Sequence, residues 1–200
     1  MSIQAETHVD HHSSTGLDSR KLAMWAFLGS ECMFFGSLIV VMLINKDNTL
    51  GLDAEHFGQG VLDLALTSFT TFVLLTSSLA MVLALAAFRN GALVWGRIWL
   101  GVVIGLGLIF LGGQVFEFTT FVREGLTPTT NQFGASFFTL VGFHGAHVGI
   151  GVLWLGAVIG YSFRGRFQPG GDMWGIEMVG LYWHFVDLVW VGIFTLIYLI

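Results

Sequence analysis

The chain reads as an all-α polytopic membrane protein, a bundle of five transmembrane helices with its N-terminus inside and its C-terminus outside. Three observations predict it. The residues are 54% hydrophobic and only 10% charged, the mean hydropathy is +0.78, and the apolar residues gather into five runs, each long enough at ~1.5 Å per residue to cross a hydrocarbon core of about 30 Å. The basic residues are the third. Arg20, Lys21, Arg89, Arg97, Arg164 and Arg166 fall on one side of a five-span chain, against Lys46 and Arg123 on the other, and the richer side is cytoplasmic by the positive-inside rule. Trp25, Trp95, Trp99, Tyr161 and Trp174 cluster at that same interface, where aromatic belts belong.

Residues 1–21 form a polar tail containing His8, His11 and His12, read as solvated and disordered, with no cleavage site after the first apolar run. The membrane domain is residues 22–200. Span one, 22–44, carries a single charge, Glu31, about 14 Å in and close to the midplane. An exposed loop over 45–60 follows. Span two, 61–88, has Asp63 near its outer end and a hydroxyl-rich middle from Thr67 to Ser78; such hydroxyls bond their own helix carbonyls or bridge to neighbours.

Span three, 98–122, has Gly101 and Gly105 at GxxxG spacing, and Gln114 and Glu117 near its far end. Span four, 132–161, contains His144 and His147 together with Gly145, Gly149, Gly156 and Gly160. Glycines four apart let membrane helices approach closely, so these six are the expected packing positions. Both prolines, Pro128 and Pro169, lie in loops. Span five, 176–200, holds Glu177, His184 and Asp187 on one stripe, positions 184 and 187 lying about 20° and 80° around the helix from 177. A charge at the bilayer centre costs at least ~2.5 kcal/mol, so that stripe faces other helices.

Glu31, Glu117, His144, His147, His184 and Asp187 are therefore the candidate site residues, expected to form a buried polar network in which Glu31 meets a histidine of span four. Four readings of this set stand open on physics alone. Acids and imidazoles in a membrane suit a small proton or ion transporter, but no inverted repeat, broken helix or continuous ionisable line is visible. Intramembrane histidines suit a haem-binding protein, but the pair His144 and His147 shares one helix and lacks matching pairs elsewhere. A di-metal site needs Glu-x-x-His motifs from two helices, and the spans contain none. The fourth reading is an internally satisfied network that fixes helix register. Cys32, the only cysteine, excludes an intramolecular disulfide and any two-cysteine metal centre. No basic patch points to nucleic acid.

Four stretches carry a family likeness: GSECMFF around Glu31, GQVFEF around Glu117, SFFTLVGFHGAHVGIGVLWL around the two span-four histidines, and LYWHFVDLVWVGIFTLIYL at the end. Together they make the chain resemble, over almost all of its length from residue 22 onward, subunit III of the haem-copper terminal oxidases in its shorter five-span bacterial form. The resemblance implies a non-catalytic core subunit of a proton-pumping aerobic oxidase in a bacterial plasma membrane, with no catalytic and no metal-binding residue of its own. It implies direct contact with subunit I, and subunit II and small subunits in the same complex, with the haems and copper held by those partners. It further implies bound phospholipid, support of proton uptake, and protection of the active site during turnover. Glu31 aligns with the family's carbodiimide-reactive intramembrane carboxylate. The chain lacks the first two of the longer form's seven helices, so the lipid cleft between those two and the rest is incomplete unless subunit I supplies replacements. Cytochrome c is the favoured electron donor, with a quinol oxidase subunit III as the alternative.

Overall fold

A computed structural model describes residues 19–57, 64–123, 125–164 and 173–199, with side chains in the first helix described from 19 to 45. The described residues form five long helices: α1 Ser19–Phe57, α2 Leu64–Arg89, α3 Leu93–Arg123, α4 Gln132–Phe163 and α5 Trp174–Phe194, the last continuing into a π-helical turn, Thr195–Leu199. All five are long and apolar enough to cross a membrane. The starts of α1, α3 and α5 and the ends of α2 and α4 share one end of the bundle, called here the Ser19 end; the other is the Asn45 end.

The breaks between helices follow from local chemistry. Between α2 and α3 the chain turns in three residues, because Gly91 adopts a left-handed φ of 75° while its N–H donates to Phe88 O and that of Ala92 to Ala87 O. This glycine-terminated pattern satisfies the last carbonyls of α2. Gly125, at φ 91°, ends α3 the same way, with the N–H of Leu126 donating to Phe121 O. Asn131 then caps α4, its side-chain oxygen accepting from the N–H of Gly134 at 2.6 Å.

Two boundaries differ from the sequence reading. Residues 45–57, expected in a loop, continue α1; the stretch NKDNTLGLDAEHF has no proline, and a helix that has left the apolar layer has no need to stop there. Similarly α3 begins at Leu93, five residues before the apolar run, because the Gly91 turn is the only breaker ahead of it. Asp63 and the histidines of the N-terminal tail lie outside the described residues.

α5 is the central helix. Half of its most apolar window is buried, against 17% for α1, and it packs on α1, α2 and α4, while α3 closes the other side against α2 and α4. Trp183 and Trp190 are the largest fully buried side chains. The Trp183 ring enters the bundle where two glycines make room: a Cβ on Gly107 would lie 2.8 Å from it, and one on Gly151 2.9 Å.

The glycines that permit close packing are therefore not the ones expected from GxxxG spacing. Around Gly101, Gly105, Gly149, Gly156 and Gly160 an added Cβ would meet nothing within 4 Å, and only Gly145 of the six is crowded, by the Gln114 amide. Spacing identifies a small-residue face, but azimuth decides whether that face turns inward, and four of these positions, Gly101, Gly105, Gly156 and Gly160, are exposed on the outer surface of the bundle.

Candidate functional site: the intramembrane polar groups

On the seam between α1 and α4, His147 Nε2 lies 3.2 Å from a carboxyl oxygen of Glu31. This is an ion-pair distance without the alignment of a hydrogen bond. The other ring nitrogen, Nδ1, is 2.7 Å from Phe143 O, one turn back on the same helix. A backbone carbonyl only accepts, so Nδ1 carries a hydrogen. The approach of Nε2 to the carboxyl is then attractive only when one further proton sits between them, either as imidazolium beside carboxylate or as imidazole beside carboxylic acid. The backbone carbonyl of His147 accepts from the Tyr182 hydroxyl at 3.0 Å, tying α4 to α5 at that level, and Phe35 edges onto the ring at 5.0 Å.

His144, three residues earlier, points elsewhere. It is fully buried, stacked on Trp190 at 4.9 Å and 26° and met edge-on by Phe110 at 5.8 Å. Neither ring nitrogen finds a hydrogen-bond partner. Two imidazoles three residues apart lie ~60° apart around the helix, and only one of them reaches α1.

A second series runs along the seam of α2 and α5, which are antiparallel. From the Ser19 end, Arg89 Nη2 donates to Glu177 Oε1 at 2.9 Å, and Lys21 of α1 approaches the other oxygen at 3.2 Å. Next, His184 Nδ1 pairs with the Ser78 hydroxyl, and the Trp183 indole N–H donates to Ser77 Oγ at 2.9 Å. A further turn on, the Trp190 indole N–H donates to Thr71 Oγ1 at 2.9 Å. Toward the Asn45 end, Glu117 Oε1 accepts from Thr67 at 2.9 Å and from Tyr198 at 3.0 Å, joining α2, α3 and the terminal π turn. Asp187 is buried on this helix, and neither of its oxygens meets a donor in hydrogen-bond geometry; the Ser78 hydroxyl is the polar group beside it.

The six candidates thus do not make one network. Glu31 with His147, His184 with Ser78, Glu117 with Thr67 and Tyr198, the aromatic-caged His144, and Asp187 beside Ser78 without a hydrogen bond are distinct groups with different surroundings. The α1–α4 and α2–α5 seams lie on different sides of α5, and that separation divides them. Hydroxyls of α2 and ring groups of α5 supply partners where carboxylates and imidazoles were expected to partner each other. Sequence reasoning passed over Tyr182, Trp183, Trp190, Tyr198, Lys21 and Arg89 as site residues. The signal available was antiparallel register: hydroxyls at 67, 71 and 77–78 matched by polar-tipped side chains at 198, 190 and 183–184. Among the described residues no three His, Cys, Asp or Glu side chains converge in a way that would hold a metal ion.

Five spanning helices with an acid–imidazole pair on one seam and a ladder of internal polar contacts on another define a multi-pass membrane protein whose intramembrane polar groups chiefly bind helix to helix. The chain belongs to the cytochrome c oxidase subunit III family, whose model matches residues 2–200. It is 40% identical over 180 residues to the cytochrome c oxidase subunit 3 of Bacillus sp. (strain PS3), covering 89% of this chain and 84% of that one, and 38% identical, with the same coverage, to that of Bacillus subtilis. It is also 35% identical over 204 residues to a probable quinol oxidase subunit 3 of Staphylococcus saprophyticus, covering 100% of this chain and 97% of that one. Family membership makes the chain a component of an oxidoreductase complex, associated with other oxidase subunits in a membrane.

Proposed function

We propose that the chain is the non-catalytic subunit III of a proton-pumping terminal oxidase in a bacterial plasma membrane, packed directly on subunit I, with subunit II and small subunits in the same complex. The haems and copper belong to the partner subunits, phospholipid binds at the bundle surface, and this chain supports proton uptake and protects the active site during turnover. The observation that carries the reading is the Glu31–His147 pair on a half-buried seam, Glu31 being the residue that the resemblance aligns with the family's carbodiimide-reactive carboxylate. A carboxyl and an imidazole held 3.2 Å apart in a low-dielectric layer are an electrostatic feature that a neighbouring subunit can be built around.

Gentle solubilisation followed by affinity capture of this chain tests the assignment: a reduced-minus-oxidised spectrum of the captured material shows haem, and the chain purified alone shows none. An isolated chain that moves protons in liposomes, or that carries a Soret band, overturns it. Glu31→Gln leaves assembly and initial oxygen uptake near normal while changing how many turnovers the enzyme survives. Total loss at the first turnover with intact haems refutes the supporting role.

The donor is proposed to be cytochrome c, in line with the two Bacillus relatives. The quinol reading is kept because the Staphylococcus relative matches the full chain. Oxygen uptake by the captured complex, driven by reduced cytochrome c or by a quinol, separates the two.

A further inference from the structure

Among the described residues, Asp187 is the one acid of the bundle that no other side chain holds in a hydrogen bond or ion pair. Glu31 faces His147, Glu117 accepts from Thr67 and Tyr198, and Glu177 is held by Lys21 and Arg89. Asp187 is 3% exposed, and both of its oxygens are closed to water even in the chain alone and meet no donor in hydrogen-bond geometry. No charge on the packed helices compensates it. Lys21 of α1 and Arg89 of α2 are engaged at Glu177, ten residues or ~15 Å back along α5. On α4, His144 stacks on Trp190 and His147 is turned to Glu31 of α1; on α3, Glu117 is taken by its two hydroxyls. A carboxylate in such a place is a bare charge in a low-dielectric layer, the state that burial penalises most.

The Ser78 hydroxyl of α2 lies beside Asp187 and is paired with His184 Nδ1. His184 and Asp187, three residues apart, lie ~60° apart around α5, so one hydroxyl stands next to both. A hydroxyl donates one hydrogen and accepts others. With a proton on Asp187 each group is served: after a small turn of the carboxyl its O–H donates to Ser78 Oγ, the Ser78 O–H donates to Nδ1, and the ring hydrogen of His184 sits on Nε2. With Asp187 ionised, the most the chain offers its two oxygens is that single neutral hydroxyl, and the negative charge stays uncompensated. The far end of the series is half-buried His184, whose Nε2 has no partner among the described residues and is not among the buried atoms.

We propose that Asp187, Ser78 and His184 form an intramembrane proton-binding site, in which Asp187 is a neutral carboxylic acid hydrogen-bonded through Ser78 to His184, so that the imidazole presents an N–H at Nε2. The site is distinct from the Glu31–His147 pair, which lies on the other seam. It goes beyond the oxidase reading and does not depend on it, because all three residues belong to this chain.

The test compares infrared spectra of the whole complex captured through this chain, unaltered and as Asp187→Asn. Subtracting the variant leaves a carboxylic-acid C=O band that belongs to Asp187. A difference confined to the carboxylate stretching bands shows an ionised Asp187 and overturns the proposal. Ser78→Ala keeps the acid and removes its acceptor, so the C=O band moves to higher wavenumber; His184→Phe, which takes away the next member of the series and no hydrogen bond of Asp187 itself, moves it in the same direction by less. A band that stays in place in both variants overturns the linkage through Ser78. Should Asp187→Asn fail to assemble, Ser78→Ala alone decides: its difference against the unaltered complex is derivative-shaped in the carboxylic-acid region if the proposal holds, and a feature in the carboxylate region, or none in either, overturns it. The haem spectrum of the same samples tests the oxidase reading separately, and either reading can fail without the other.

Discussion

Replacing Gly151 by alanine tests how the core is built, because the structure fixes both the size of the effect and its control. The new methyl would lie 2.9 Å from two ring carbons of Trp183 and 3.2 Å from a ring carbon of Tyr182, where ordinary contacts begin near 3.4 Å. The indole cannot slide away. Its far edge already occupies the space above Gly107, and its N–H is held by Ser77 at 2.9 Å. Overpacking of this kind costs about 1–3 kcal/mol. Glycine to alanine in a helix also gains about 1 kcal/mol from backbone entropy, so the net effect of one variant alone is ambiguous. Gly149→Ala, two residues away on the same helix with nothing within 4 Å, makes the same backbone gain and no clash. The difference between the two variants isolates the contact. For a chain of this size 1 kcal/mol corresponds to ~2–4 °C, so Gly151→Ala should melt roughly 2–12 °C below Gly149→Ala, read by tryptophan fluorescence of the detergent-purified chain. Equal melting temperatures, or a lower one for Gly149→Ala, would refute the assignment of Gly151 as the packing glycine.

Three further outcomes follow from the polar contacts. Glu117→Leu removes the acceptor shared by the Thr67 and Tyr198 hydroxyls; at ~0.5–1.5 kcal/mol for each hydrogen bond lost, it loosens the terminal π turn first, seen as faster amide exchange over Thr195–Leu199. A double-mutant cycle of Ser77→Ala with Trp183→Phe gives a coupling of ~0.6 kcal/mol and no more than about 1.7, the range for interhelical hydrogen bonds in membranes; a value near zero would mean that the indole N–H is not bonded to Ser77. Arg89→Gln changes stability by less than ~1 kcal/mol, because its side chain is exposed and Lys21 still faces Glu177. The additional loss from Lys21→Gln in that background shrinks as salt is raised.

The class of fold was legible because it depends on composition and run length. Five spans, their order and their antiparallel course follow from where the apolar runs stop, and a membrane leaves little else for such a chain to be. Helix ends outside the apolar layer were less legible. Nothing in residues 45–57 forbids a helix and nothing demands one, so an argument from hydropathy placed a loop where α1 continues. The turn at Gly91 was equally invisible to hydropathy, since it depends on one residue adopting a left-handed φ.

For the site, depth was readable and azimuth was not. Counting residues placed Glu31 level with the histidines of span four, and the structure sets it against His147. Which of the two histidines it meets is decided by ~60° of helix rotation, and that rotation is fixed by which neighbours α4 packs on. The same missing angle explains the glycines. Gly149 and Gly151 are two residues apart and equally small, yet one abuts the largest side chain in the core and the other abuts nothing. It also explains why indole and phenol groups escaped notice. A tryptophan in a span reads as bulk, and its single N–H acquires meaning only when a hydroxyl on an antiparallel neighbour arrives at matching height on the matching face. The α2 series at Thr71 and Ser77 does that for Trp190 and Trp183. In a layer where burial of apolar surface gives little drive for helices to associate, these paired tips select one register of α2 against α5. A shift of one turn one way would set both indoles against carbon, at Leu75 and Met81, and the opposite shift would give Trp190 the Thr67 hydroxyl but leave Trp183 at Val73.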